Sequence, residues 1–120
     1  MKRLFALLII TSCQAPSPVN TLGIPPDLVI LESDYTTGLI SGWTSNFEAQ
    51  LGTLPSSGDA KIVSLSHGYA LLERSQTDAV TFLDPQLNII HQVALPERSN
   101  PHDLIETDNA YWISLYQDPK

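Results

Sequence analysis

AKIVSLSHGYALLERSQTDAVTFLDPQLNIIHQVALPERS, residues Ala60–Ser99, is the stretch on which the fold turns. It holds four short β-type runs: Lys61–Leu65, Tyr69–Arg74, Ala79–Asp84 and Ile89–Leu95. The breaks between them carry turn chemistry. Ser66-His67-Gly68 suits a tight hairpin, because glycine takes positive φ freely. Asp84-Pro85-Gln86-Leu87-Asn88 suits a type I turn, with proline's fixed φ at the second position. Nothing in the segment has helical periodicity.

Working outward, two more runs precede it, Leu28–Ser33 and Gly38–Thr44. Two follow, His102–Glu106 and Tyr111–Tyr116, joined by Thr107-Asp108-Asn109, where asparagine tolerates positive φ. The flanks also repeat the centre. Leu31-Glu32 recurs as Leu72-Glu73 and Leu54-Pro55 as Leu95-Pro96, each after 41 residues. The same shift carries Ala70-Leu71-Leu72 onto Tyr111-Trp112-Ile113 and Gln76 onto Gln117. A period near 40 with about four short strands per unit is the signature of a β-propeller blade. The expected fold is therefore all-β, a partial β-propeller of four-stranded antiparallel blades. Residues 60–99 form the full blade, 27–59 the last three strands of a preceding one, and 100–120 the first two of a following one. A middle strand covered on both faces need not alternate, which fits Tyr69-Ala70-Leu71-Leu72 and Ala110-Tyr111-Trp112-Ile113. Trp43, Trp112, Tyr111 and Tyr116 are expected to pack between blades. The competing architecture is one antiparallel meander or small sandwich, which would show the same strands without the period.

The N-terminus reads differently. Met1-Lys2-Arg3 is basic, and Leu4-Phe5-Ala6-Leu7-Leu8-Ile9-Ile10 is uncharged and apolar. Seven such residues fall short of the roughly 20 that a spanning helix needs, so this is the core of an export signal. Ile10-Thr11-Ser12-Cys13 then places an aliphatic residue and two small ones before a cysteine, which resembles the lipobox of bacterial lipoproteins. That resemblance implies a signal peptide over 1–12, diacylglycerol on the Cys13 sulfur, cleavage before Cys13 and acylation of the new amine. Several acyl chains, at about 0.8 kcal/mol per buried methylene, make a permanent membrane anchor. Residues 13–26, with four prolines after Cys13, read as a lipid-anchored tether. Gln14 stands where aspartate would retain a lipoprotein at the inner membrane. The expected location is thus the bacterial cell envelope, at the outer rather than the inner membrane.

Cys13 is the only cysteine, so no internal disulfide forms and folding rests on packing. Loss of Lys2 and Arg3 with the signal leaves four basic residues against 13 acidic ones, spread along the chain without a basic cluster. Binding to nucleic acid is disfavoured on that charge.

Ser99-Asn100-Pro101-His102-Asp103-Leu104, the hairpin after it and Ala110-Tyr111-Trp112-Ile113-Ser114-Leu115-Tyr116 resemble a blade start in the YVTN/NHL-type propeller superfamily. The cover runs from Asp27 to Lys120. Propellers of that kind close rings of four to eight blades, and about two and a half are present here, so a truncated product is expected. An open stack exposes faces and edges, which predicts weak stability and a tendency to associate. The resemblance also draws attention to His102 and Asp103, at the start of an inner strand near the channel where some enzymatic relatives hold a metal. One repeat earlier stand Lys61-Ile62, so no ring of ligands builds up. A hydrolytic metal site needs three or more converging ligands. The plainer reading is a turn opening the blade with a partly exposed histidine. His67 falls in a hairpin and His91 in an outer strand. Ser64, Ser66 and His67 are close in sequence but lack the buried acid of a serine triad. Asp34-Tyr35-Thr36-Thr37-Gly38 and Ser75-Gln76-Thr77-Asp78-Ala79 are loops at one end that could meet a partner. No catalytic residue, cofactor or metal is expected. The functional expectation is a non-enzymatic envelope lipoprotein that binds an unidentified protein or small molecule. Its rivals are a metal-dependent lactonase or gluconolactonase-type propeller hydrolase, and a nonfunctional truncated product.

Overall fold

The structure is a computed structural model and describes residues 24–48, 50–74 and 77–116. The signal, Cys13, most of the tether, and Gln76 and Gln117 lie outside the described residues. Among the described residues nine strands run in order: β1 (Leu28–Ser33), β2 (Thr37–Trp43), β3 (Gln50–Ser57), β4 (Ala60–Leu65), β5 (Gly68–Glu73), β6 (Ala79–Leu83), β7 (Ile89–Ala94), β8 (Pro101–Glu106) and β9 (Tyr111–Leu115). They form three antiparallel sheets, β1-β2-β3, β4-β5-β6-β7 and β8-β9, each a simple meander. The described residues are all-β, and their strands divide three, four and two as the sequence repeat requires. Among the described residues no ring closes.

One strand was not placed by its composition. β3 contains Gly52, Pro55, Ser56 and Ser57, all poor strand formers. It survives because it is an edge strand, paired only with β2, so proline's missing N–H breaks no ladder between two neighbours.

The turns also depart from expectation in detail. Gly68 sits at φ 141°, and a Cβ there would lie 2.0 Å from the Leu83 carbonyl oxygen, so glycine is required. Asn109 does not take positive φ. Its hairpin closes through the Thr107 N–H and Thr107 Oγ1, both donating to the Ala110 carbonyl at 2.9 Å. The Asp84 turn is closed by Leu87 N–H donating to Asp84 O at 3.0 Å, with Leu87 itself at φ 66°. A left-handed leucine costs about 1–2 kcal/mol. Burial compensates, since Leu87 is 1% exposed between the first and middle sheets.

The sheets stack face to face, and the stacking supplies the core. Ile40 and Leu54 of the first sheet meet Leu71, Leu83 and Leu87 of the middle one, flanked by Val29, Leu31, Ile62 and Tyr69. On the opposite face, Ala70, Leu72 and Val80 of the middle sheet meet Leu104 of the last, flanked by Val63, Phe82, Leu95 and Ile113. Strand β5 thus sends Leu71 one way and Leu72 the other, which is why its run of apolar residues does not alternate. β5 and β9 belong to separate sheets; the Phe82 and Tyr111 rings touch across the gap at 4.8 Å between centroids.

Face and register refine the repeat. The facing pair Leu31–Ile40 returns as Leu72–Val80, shifts of 41 and 40. Ile62–Leu71 returns as Leu104–Ile113, a shift of 42 on both strands. The counterpart of Trp112 is therefore Ala70, not Leu71. A one-residue slip reverses the face, so Trp112 points away from the middle sheet and is 67% exposed. The expectation that Trp112 packs between blades is corrected on this ground. Tyr116 is 60% exposed and likewise not packed between sheets. Tyr111 keeps its contact with Phe82, and Trp43 is half-buried, its indole N–H donating to Ser41 Oγ at 2.9 Å. Pro26, the last residue of the expected tether, is buried, and a side chain at Gly42 would run into it.

Candidate functional site

β4 and β8 are the first strands of their sheets, and β8 lies against β4 and β5. This brings together the residues singled out at the start of β8. A register irregularity between Pro101 and Asp103 leaves His102 outside the regular pairing, and its side chain is exposed. Asp103 accepts from Lys61 Nζ at 2.9 Å, and Lys61 Nζ also reaches the His102 carbonyl at 3.4 Å. By the 42-residue shift, Lys61 and Asp103 occupy equivalent positions on neighbouring strands. A cation and an anion at the same repeat position thus pair across the sheet boundary. The Lys61 ammonium, then the Leu104 N–H, hold the Asp103 carboxyl below the usual aspartate range. Both side chains are well exposed, so the pair contributes little stability on its own.

A second contact lies at the other end of the same two strands. The Glu106 carboxylate accepts from Ser66 N–H at 2.7 Å and Ser66 Oγ at 2.8 Å. These bonds hold Glu106 below the ordinary glutamate range, the backbone donor acting most strongly. Ser66, His67, Glu106, Thr107, Asp108, Asn109, Ala110 and Tyr111 line a cleft of about 500 Å³ there. The order of donors matters for chemistry. Ser66 donates its hydroxyl proton to Glu106 rather than to a histidine, so the serine–histidine hydrogen bond of a Ser-His-Asp triad is not made here.

A smaller cleft, about 310 Å³, opens between the first and middle sheets at the opposite end, lined by Tyr35, Thr36, Ser56, Ser57, Asp59 and Glu73 among others. Its buried member is Glu73, 9% exposed, whose Oε2 accepts from Thr81 Oγ1 and Gln92 Nε2, both at 3.3 Å. Gln92 Nε2 also donates to Thr81 Oγ1 at 2.8 Å. The neighbouring Arg74 is held by Asp59 at 2.6 Å.

The loops at this end are built from local carboxylate turns. Asp34 Oδ1 accepts from the Thr36 and Thr37 N–H groups, which hold its carboxyl low. Asp78 accepts from Arg98 N–H at 2.7 Å and Asn100 N–H at 2.8 Å, and so fixes the crossover from β7 to β8. No sequence signal marked Asp78 or Glu106 for these roles, because each acts on a segment at least 20 residues away.

Among the described residues, no three His, Cys, Asp or Glu side chains come together as a metal-binding group. His67 and His91 are exposed and lie apart from His102, in the β4–β5 turn and on β7 respectively. No described helix is long and apolar enough to cross a membrane. Comparison with protein-family models, curated proteins and solved structures gave no match.

Proposed function

We propose that this chain is a lipid-anchored protein of the bacterial envelope whose stacked propeller-type sheets act by binding rather than by catalysis. The observation that carries the address is the order of residues at the N-terminus. A basic pair, the seven apolar residues Leu4–Ile10 and the small pair Thr11-Ser12 lead to the only cysteine in the chain. Support for binding comes from the inner strands. Where a hydrolytic propeller would gather ligands, at the start of β8, Asp103 is committed to Lys61. The clefts at both ends of the stack, the one between the first and middle sheets mainly polar, are open to solvent-borne partners.

Expression of the full chain in a Gram-negative host supplied with labelled palmitate tests the anchor. The expected result is labelled protein in the outer-membrane fraction, with labelling and membrane association both lost in Cys13→Ala. Label retained in Cys13→Ala, or wild-type protein free in the periplasm, would overturn the reading.

A further inference from the structure

The cleft between the first and middle sheets holds a buried acid with no opposite charge beside it among the described residues. Glu73, the last residue of β5, is 9% exposed and lines the cleft with Tyr35, Ser56, Ser57 and Asp59. A carboxylate taken this far out of water is costly unless a cation or several strong donors meet it. Among the described residues no ion pair includes Glu73, and Asp59 is already held by Arg74. The groups that do reach Glu73, Thr81 Oγ1 and Gln92 Nε2, are neutral and stand at 3.3 Å, both on Oε2. Charge-assisted bonds from nitrogen to a carboxylate normally close to about 2.7–2.9 Å.

Stacking does not itself require this acid. The shift of 42 carries Glu73 onto Leu115, so the equivalent position between the middle and last sheets is apolar. The cleft is about 310 Å³, room for a small organic molecule rather than a bare ion. Hydroxyls line it, those of Thr36, Ser56, Ser57 and Tyr35, the last on a side chain 96% exposed at the rim. We propose that this cleft binds a small hydroxylated primary amine, of which an amino sugar is the type, with its ammonium on Glu73. The ammonium supplies three donors and the positive charge that Glu73 lacks. Hydroxyls on the body of the ligand exchange hydrogen bonds with those of the lining. The chain's formal net charge of −7 favours the approach of a cation. The inference deepens the binding reading, on which it rests, and is independent of the lipid anchor.

The probe is glucosamine, with glucose as its neutral counterpart, since glucose carries a hydroxyl where glucosamine has the ammonium. Each is titrated into the full chain in detergent while backbone and side-chain signals are followed by NMR. The expected result is saturating shifts at Tyr35, Ser57 and Glu73, with glucosamine binding at least tenfold more tightly than glucose. Glu73→Gln keeps the shape of the side chain and removes its charge, so it should weaken glucosamine at least tenfold and leave glucose unchanged. Protected β5 and β6 amides show that the variant is folded; were it not, the ratio of the two sugars on the unaltered chain still decides. Equal affinities, or glucosamine binding unchanged in a folded Glu73→Gln, would overturn the ligand class while leaving a binding cleft. Calcium chloride that moved the same signals and displaced glucosamine at equal concentration would make this a metal site and overturn the proposal. Absence of saturating shifts at the cleft would overturn it outright. Signals of chemically altered glucosamine would overturn the binding reading with it.

Discussion

β5 and β9 hold the same place in consecutive sheets, yet among the described strands one is the most enclosed and the other among the most open. Four residues of β5, Ala70, Leu71, Leu72 and Glu73, are at most 9% exposed. Tyr111, Trp112 and Leu115 of β9 are all more than 40% exposed, although β9 is the more aromatic of the two. Hydropathy does not explain the difference. Among the described residues, β5 has a strand on each edge and a sheet on each face, whereas β9 has one of each. In a stacked architecture, burial is assigned by neighbours, and the same repeat position can be core or surface.

The largest expected effect sharpens that contrast. Leu71→Ala should destabilise the protein by about 3 kcal/mol, from lost transfer energy and the cavity left between two sheets. Ile113→Ala, at the equivalent position with cover on one side only, should cost about 1 kcal/mol. Urea denaturation of both variants checks the pair, and equal losses would erase the distinction. Next, Asp78→Ala should cost about 2 kcal/mol, because two amides of the β7–β8 crossover lose a charged acceptor. The same variant should speed amide exchange at Arg98 and Asn100 while leaving that of Gly42 unchanged.

Much of this was legible beforehand, and the failures have physical causes. The β runs, the turns at Gly68 and Asp84 and the division of strands among three sheets follow from composition and the repeat. β3 was hidden because Pro55 and the serines after it violate strand preference, a violation only an edge position tolerates. Trp112 was misplaced because the repeat changes from 41 to 42 residues between sheets. One residue is invisible in a composition match and decisive on a pleated strand. For the site, His102 and Asp103 lie on β8, the first strand of the last sheet. The commitment of Asp103 to Lys61 could not be read until the register showed the two to be equivalent. Glu106 and Asp78 act across 40 and 20 residues, where no local pattern points.

Smaller effects test the contact between the middle and last sheets. Glu106 titrates low when folded, so its contribution is present above the ordinary glutamate pKa, about 4.3, and is lost as pH falls through the lower folded value. Stability should therefore drop on acidification below about pH 4.3, and Glu106→Gln should drop less steeply. Thermal unfolding across pH 3–7 checks the sign; a steeper drop in the variant would contradict it. The smallest expected effect is at Trp112. Trp112→Ala should change stability by no more than about 0.5 kcal/mol, as for other open surface positions. A loss above about 2 kcal/mol would mean that the outer face of β9 is covered in solution.

The face-to-face stacking of separate sheets is tested most directly by solution NMR at the Phe82–Tyr111 contact, which joins β6 to β9 across a sheet boundary. The account predicts cross-peaks between the two rings, with no backbone Hα–Hα contact linking β9 to any strand of the middle sheet. Hα–Hα contacts between β9 and β5 or β7, without contact between the rings, would show one continuous sheet and contradict it.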